Sequence, residues 1–373
     1  MKRLFSVSVV VCLLAAMALV AGAAEPPVRI GLSAPITGNY AEYGQNFQVS
    51  VQMAADEINA KGGLRGRKVE IAVMDSKGDP KESALIAQKF VEDRTIVATI
   101  GDFTSSCCLS AAPIYERAGL VQLSPTASSP DFAPSGDYMF GIVGTQDAEG
   151  PFNAKNIAKD YLKVTKVASI YINNDWGVVT NDRFVKALRP NGLELVAAEP
   201  FMEAEKDFTA VLTKIRRANP EALFVAAMYN EAAAIARQVQ KMGWNVALFA
   251  PSSVFSSQLL ELGGDAVEGL ATNAFFVLSD PDPVVQKYIK DFEARAKRFP
   301  NLHAACAYDS MMILAAAIEK AGFDRKAIRD ALAATKGYMG VTGEITFTPV
   351  GDVVRNYKII AVEKGEWVVK KGF

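Results

Sequence analysis

Two kinds of segment alternate along this chain, and their order sets what it can fold into. Val28–Ser33 and Val69–Met74 are short apolar runs of the buried-strand type. Between them Tyr43-Gly44 opens a long helix. Its apolar positions Phe47, Val51, Ala54, Ala55 and Ile58 recur at helical spacing, and Lys61-Gly62-Gly63 stops it. Asp79-Pro80 caps the next helix, whose apolar face is read as Ala84, Leu85, Ala87 and Phe90. Strands that alternate with helices imply a parallel sheet covered on both faces. After Tyr138–Val143 the rhythm restarts, with a helix at about Ala148–Tyr161 and strands at Lys166–Ile172, Leu193–Ala197, Ala222–Ala226 and Val246–Phe249. Two α/β halves fit the usual size of a domain better than one sheet does. The tail differs. Pro281–Phe299, Ala304–Ala321 and Arg325–Ala334 read as helices, followed by strands at Glu344–Phe347, Tyr357–Val362 and Trp367–Val369. These pieces are too few for a third core, so they must complete the first two.

The stretch Ile100–Phe132 carries the functional signal. A strand (Arg94–Ile100) leads through a hydroxyl-rich loop into a helix (Ser105–Arg117), and a second strand (Gly119–Leu123) ends in Ser124–Ser129. In a parallel sheet such loops lie side by side at the carboxyl edge, where open α/β sheets bind ligands. The helix N-terminus after Thr104 adds free amides and partial positive charge, which suit a carboxylate. No nucleophile–base pair or metal-ligand set accompanies them, so the site is built to hold a molecule and not to transform it. No catalytic residue, cofactor or metal is expected. The single histidine, His303, follows Pro300-Asn301 and is expected on the surface. Gly62-Gly63-Leu64-Arg65-Gly66 lacks the ending and strand context of a phosphate loop.

Lys2 and Arg3, the apolar run Leu4–Val20 and the small residues Ala21-Gly22-Ala23 read as a cleaved secretory signal over residues 1–24. Cys12 lies inside the apolar run, so a lipid-attachment cysteine is not expected. A net charge of −1 gives no electrostatic reason to expect nucleic acid as a partner. Cys107, Cys108 and Cys306 remain after cleavage; the simplest expectation is three buried thiols, the alternative a bond from Cys107 or Cys108 to Cys306.

With these pieces in place the chain resembles the periplasmic leucine/isoleucine/valine-type binding proteins of ABC transporters. The matching segments are IGLSAPITG at Ile30–Gly38, AADEINAKGGLRGRKVE at Ala54–Glu70, DPKESALIAQKFVED at Asp79–Asp93, APIYERAG at Ala112–Gly119 and TGEITFTPVGD at Thr342–Asp352. The resemblance implies the type I periplasmic binding fold: two doubly wound parallel-sheet α/β lobes joined by three crossings, with the ligand between them. It implies a first lobe of residues 25–146 and 276–354, and a second of 147–275 and 355–373. It implies that Ser105, Thr126 and Ser128 hold a ligand carboxylate, and that Tyr43, Trp176 and Tyr229 lay aromatic rings against the ligand. Ser252 falls at the family's acidic amine-binding position, in Pro251-Ser252-Ser253, so the usual ammonium partner is missing. Gly78 and Thr104 take the places of the family's early disulfide. Either Asp175 or Glu149, both read as solvated helix-start acids, meets the amine instead, or the ligand has none. The expectation here is weak or no binding of branched-chain amino acids and preference for another small carboxylate. The implied function is a monomeric periplasmic solute-binding protein, not an enzyme, that delivers a small-molecule ligand to an ABC permease. The alternative is a ligand-sensing module of a receptor or regulator with the same fold.

Overall fold

The computed structural model describes residues 25–203 and 205–371; the expected signal segment 1–24 lies outside the described residues. The first sheet is built from β1 (Val28–Ala34), α1 (Ala41–Ala60), β2 (Val69–Asp75), α2 (Pro80–Glu92), β3 (Ile96–Ile100), α3 (Ser105–Ala118), β4 (Gln122–Ser124) and β5 (Met139–Gly141). Its strands run in the order β2-β1-β3-β4-β5, all parallel. The apolar stripe of α1 is buried as its spacing predicts. On α2 the buried stripe is Ser83, Ile86, Ala87 and Phe90, and Leu85 faces solvent. The expected face is therefore turned: counting back from Phe90 by four and seven residues reaches Ile86 and Ser83 and passes over Ala84 and Leu85.

The second sheet follows with α4 (Gln146–Phe152), β6 (Lys166–Ile172), α5 (Asp175–Leu188), β7 (Glu194–Phe201), α6 (Thr209–Arg216), β8 (Ala222–Ala226), α7 (Tyr229–Lys241), β9 (Ala247–Phe249), α8 (Ser257–Gly263) and β10 (Ala271–Ala274). The expected helix Ala148–Tyr161 is α4 continued by a π-helix over Asn153–Tyr161. The chain then forms α9 (Pro283–Ala296), α10 (Leu302–Ala321), α11 (Arg325–Ala333), a hairpin of β11 (Tyr338–Gly340) with β12 (Gly343–Ile345), and finally β13 (Lys358–Glu363) and β14 (Glu366–Val369). The order in the second sheet is β14-β13-β10-β9-β8-β6-β7, parallel except for β13, which runs antiparallel to both its neighbours. The tail adds no third core. Its helices cover the first sheet: Tyr288 and Ser50 share a hydrogen bond of 3.0 Å, and Arg295 pairs with Asp56 at 2.6 Å. Its last two strands extend the second.

The chain thus crosses between sheets after β5, after β10 and after β12, and one side chain, itself on the third crossing, touches the other two. Arg355, buried, donates from Nε to the Ile142 carbonyl at 2.8 Å, and from Nη2 to the same oxygen. Its Nη1 donates to the Thr342 carbonyl at 3.2 Å, and the guanidinium lies 4.6 Å from the ring centre of Phe275.

Candidate ligand-binding cleft

The loops after β3 and β4 are shaped before any ligand arrives. Asp102, buried, accepts from Ser33 Oγ at 2.7 Å, Ser83 Oγ at 2.8 Å and the Phe103 amide at 2.6 Å. Thr104 caps α3 by accepting from the Cys107 amide at 3.2 Å. Ser124 Oγ donates to the Asp102 carbonyl at 3.0 Å and accepts from the Ala127 amide at 2.9 Å. The three cysteines Cys107, Cys108 and Cys306 are buried and form no disulfide.

Ser105, Thr126, Ser128, Trp176 and Ser252 line one small cavity of buried residues, together with Phe103, Val143, Glu149, Met228 and His303. About 20 Å³ of free space remains inside, room for one water molecule. Nothing larger fits this space as it stands. The hydroxyls are not equivalent. Ser105 Oγ accepts from the Ser129 amide at 3.2 Å, which leaves its own proton to give. Ser128 Oγ accepts from Gln146 Nε2 and from Trp176 Nε1, the latter at 3.3 Å, so its proton is also free. Thr126 spends its proton on the Phe103 carbonyl at 2.7 Å. The first two can donate to a carboxylate; the third cannot.

The second lobe supplies what the sequence reading lacks. Gly150 lets α4 lie hard against α5: a side chain there would meet the Arg183 backbone at 2.8 Å. That approach sets Glu149 on the first turn of α4 beside Trp176 on the first turn of α5. Glu149 is 4% exposed, so it is not the solvated acid expected from its place at a helix start. Its Oε1 accepts from the Ser252 amide at 2.7 Å and from Asn273 Nδ2 at 3.0 Å. Among the described residues nothing donates to Oε2 and no cation pairs with the carboxylate. Asp175 is exposed and does not line the cavity.

Two aromatic residues stand elsewhere. Tyr43 stacks on Phe103 with ring centres 4.0 Å apart and reaches across the seam to donate to the Ser253 carbonyl at 2.5 Å. Tyr229 donates to the Asn39 carbonyl at 3.2 Å. Both close the seam between lobes beside the cavity and neither lines it; Phe103 supplies the ring there. His303 is not on the surface. It is 4% exposed on the first turn of α10, perpendicular to Tyr43 and Phe103 at 5.3 and 5.9 Å. Proline and asparagine before it signal a helix start, and α10 starts inside the molecule. Burial pushes its imidazole down to about 3, so it is neutral at ordinary pH.

A small, buried cleft between two parallel-sheet lobes, lined by free hydroxyls and one unpaired acid, is a place for holding solute. The profile of the periplasmic binding protein family matches residues 27–366. The chain belongs to that family. This periplasmic binding protein is 29% identical over 360 residues to the leucine-, isoleucine-, valine-, threonine- and alanine-binding protein of Pseudomonas aeruginosa, with 94% of each chain covered. It superposes with a TM-score of 0.86 on the branched-chain amino acid transporter substrate-binding protein of Streptococcus pneumoniae in complex with isoleucine, at 26% identity, covering 92% of this chain and 100% of that one. A leucine-binding protein of Thermotoga maritima gives 0.87 at 25% identity, covering 92% and 97%. The family assignment makes this a substrate-binding protein of the ABC-transporter class and not an enzyme. Among the described residues no helix is long and apolar enough to cross a membrane.

Proposed function

We propose that this periplasmic binding protein captures a small α-amino acid between its lobes and hands it to an ABC permease. Ser105 and Ser128 hold the carboxylate and Glu149 meets the ammonium, with Ser252 beside it. One observation carries this reading: Glu149 is a buried carboxylate on the cavity wall, held by neutral donors alone. A buried charge without a counterion costs several kcal/mol, and a ligand ammonium at Oε2 supplies the counterion. The amine-free reading rested on Ser252 in the family's acidic position. Glu149 reaches the same spot from α4, close enough to accept from the Ser252 amide, so an amine is no longer without a partner. The relatives named for amino acids support the same class. Residues 1–24 direct the chain to the periplasm, where it acts as a monomer of two lobes, 25–146 with 276–354 and 147–275 with 355–373.

The test is a thermal-shift screen of the amino acids beside their deaminated analogues. A ligand at a hundred times its dissociation constant adds about 2.7 kcal/mol of stability. At least one amino acid is expected to stabilise the protein, and its deaminated analogue to do nothing. Stabilisation by carboxylic acids alone overturns the reading.

The carboxylate half has its own consequence. Ser128→Ala and Ser105→Ala each remove a hydrogen bond to a charged group, worth about 1.5–3 kcal/mol. Calorimetry is expected to show affinity falling about ten- to a hundred-fold in each. Thr126→Val, whose parent hydroxyl is already committed to Phe103, is expected to change it far less.

A further inference from the structure

The amino-acid reading leaves one group in the cleft without a task. His303 lines the cavity and is almost wholly buried, and its imidazole makes no hydrogen bond to any described residue. Its Nδ1 is a buried polar atom with no partner. Buried polar groups are satisfied as a rule, so one that is not, on the wall of a binding cavity, needs an explanation. The ring is held: Tyr43 and Phe103 stand perpendicular to it on neighbouring elements, and the Asn301 side chain caps the turn that carries it. A held, neutral imidazole offers one N–H donor and one bare nitrogen acceptor. The carboxylate and ammonium are already provided for by Ser105, Ser128 and Glu149, so whatever meets His303 belongs to the ligand's side chain. The apolar wall at Phe103, Val143, Trp176 and Met228 is short, and polar residues surround it. That lining suits a small side chain with one polar atom better than a purely aliphatic one.

We propose that His303 is a specificity-determining residue that selects small amino acids carrying a side-chain hydroxyl. This rests on the amino-acid reading above. A hydroxyl both donates and accepts, so it pairs with either imidazole tautomer. A methyl in its place leaves the nitrogen buried and unpaired in the closed state. Sites built to hydrogen-bond a substrate hydroxyl discriminate strongly against the analogue that lacks it, for this reason.

Threonine and valine have the same shape and differ by that exchange, and serine and 2-aminobutyrate differ likewise. Calorimetry on the mature protein is expected to give threonine at least tenfold tighter than valine, and serine at least tenfold tighter than 2-aminobutyrate. In His303→Leu the preference is expected to vanish or reverse, while His303→Asn, which keeps a polar group, retains part of it; thermal unfolding of each variant checks that it folds. The wild-type ratio needs no variant, so a poorly folded substitution does not shield the proposal. Equal or tighter binding of valine by the wild type overturns the role of His303 and leaves the amino-acid reading standing. A ratio unchanged in a folded His303→Leu does the same. No response to any amino acid overturns the underlying reading and the selection with it.

Discussion

Glu149→Gln is expected to weaken amino-acid binding by roughly 3–5 kcal/mol, the cost of removing one partner from a buried ion pair. That is about two to four orders of magnitude in dissociation constant. The amide has the shape of the carboxylate, and its oxygen can keep both the Ser252 amide and Asn273 Nδ2. What it loses is the charge that balances a ligand ammonium. The unliganded protein should respond in the opposite sense. It carries the buried charge without compensation, so neutralising it leaves stability unchanged or raises it. Calorimetry with the best amino acid from the screen, beside urea unfolding without ligand, reads both effects. A fall in affinity with no loss of unliganded stability separates an ammonium partner from a structural acid. Affinity held within threefold would sink the assignment. Asp175→Asn, at an exposed acid outside the cavity, is the control and should leave binding as it is.

The two lobes were legible because the alternation of strand and helix is a local pattern, repeated often enough to survive errors at individual boundaries. The hydroxyl loops were legible for the same reason: Ser105, Thr126 and Ser128 sit directly after strands, where topology sends ligands whatever the side chains do. What stayed hidden depends on contacts distant in sequence. Glu149 looks like any acid in a first helical turn. Its burial follows from Gly150 letting α4 close on α5, and from Asn273 and Ser252 arriving from elements more than a hundred residues away. His303 looks like a surface residue at a helix start until α10 is seen to start within the interior. The resemblance implies ligand-facing rings at Tyr43 and Tyr229, but Phe103 takes the cavity wall and the two tyrosines are left to the seam. β10 is the four-residue segment ATNA, too short and too polar to announce a buried strand, and its neighbours in the sheet decide its state.

Arg355→Met is expected to be the most damaging single change to stability outside the cores. From the third crossing, the guanidinium satisfies the Ile142 carbonyl on the first and the Thr342 carbonyl in the β11–β12 turn, and covers Phe275 on the second. Methionine can keep the contact with Phe275 but donates to neither carbonyl. Each buried acceptor left unpaired costs about 1–3 kcal/mol, so the loss is on the order of 4 kcal/mol. Lysine keeps the charge but lacks the planar fork that reaches both oxygens, and should recover less than half. A second effect gives the prediction a signature in pH. The same turn is held from its other side by buried Asp309, which accepts from the Val341 amide at 2.9 Å and from the Thr342 amide and hydroxyl at 2.8 and 2.6 Å. Burial raises the Asp309 carboxyl above its ordinary value, against the pull of those hydrogen bonds and of Arg355. Removing the arginine raises it further. A carboxyl whose pKa is higher folded than unfolded stabilises the fold below its unfolded value and loses that contribution as pH rises through the folded one. The deficit of Arg355→Met against the parent should therefore be larger at pH 7 than at pH 4. Urea unfolding at the two pH values measures it. A deficit under about 1 kcal/mol at both, the level of an ordinary surface change, would mean that the three crossings hold together without this side chain.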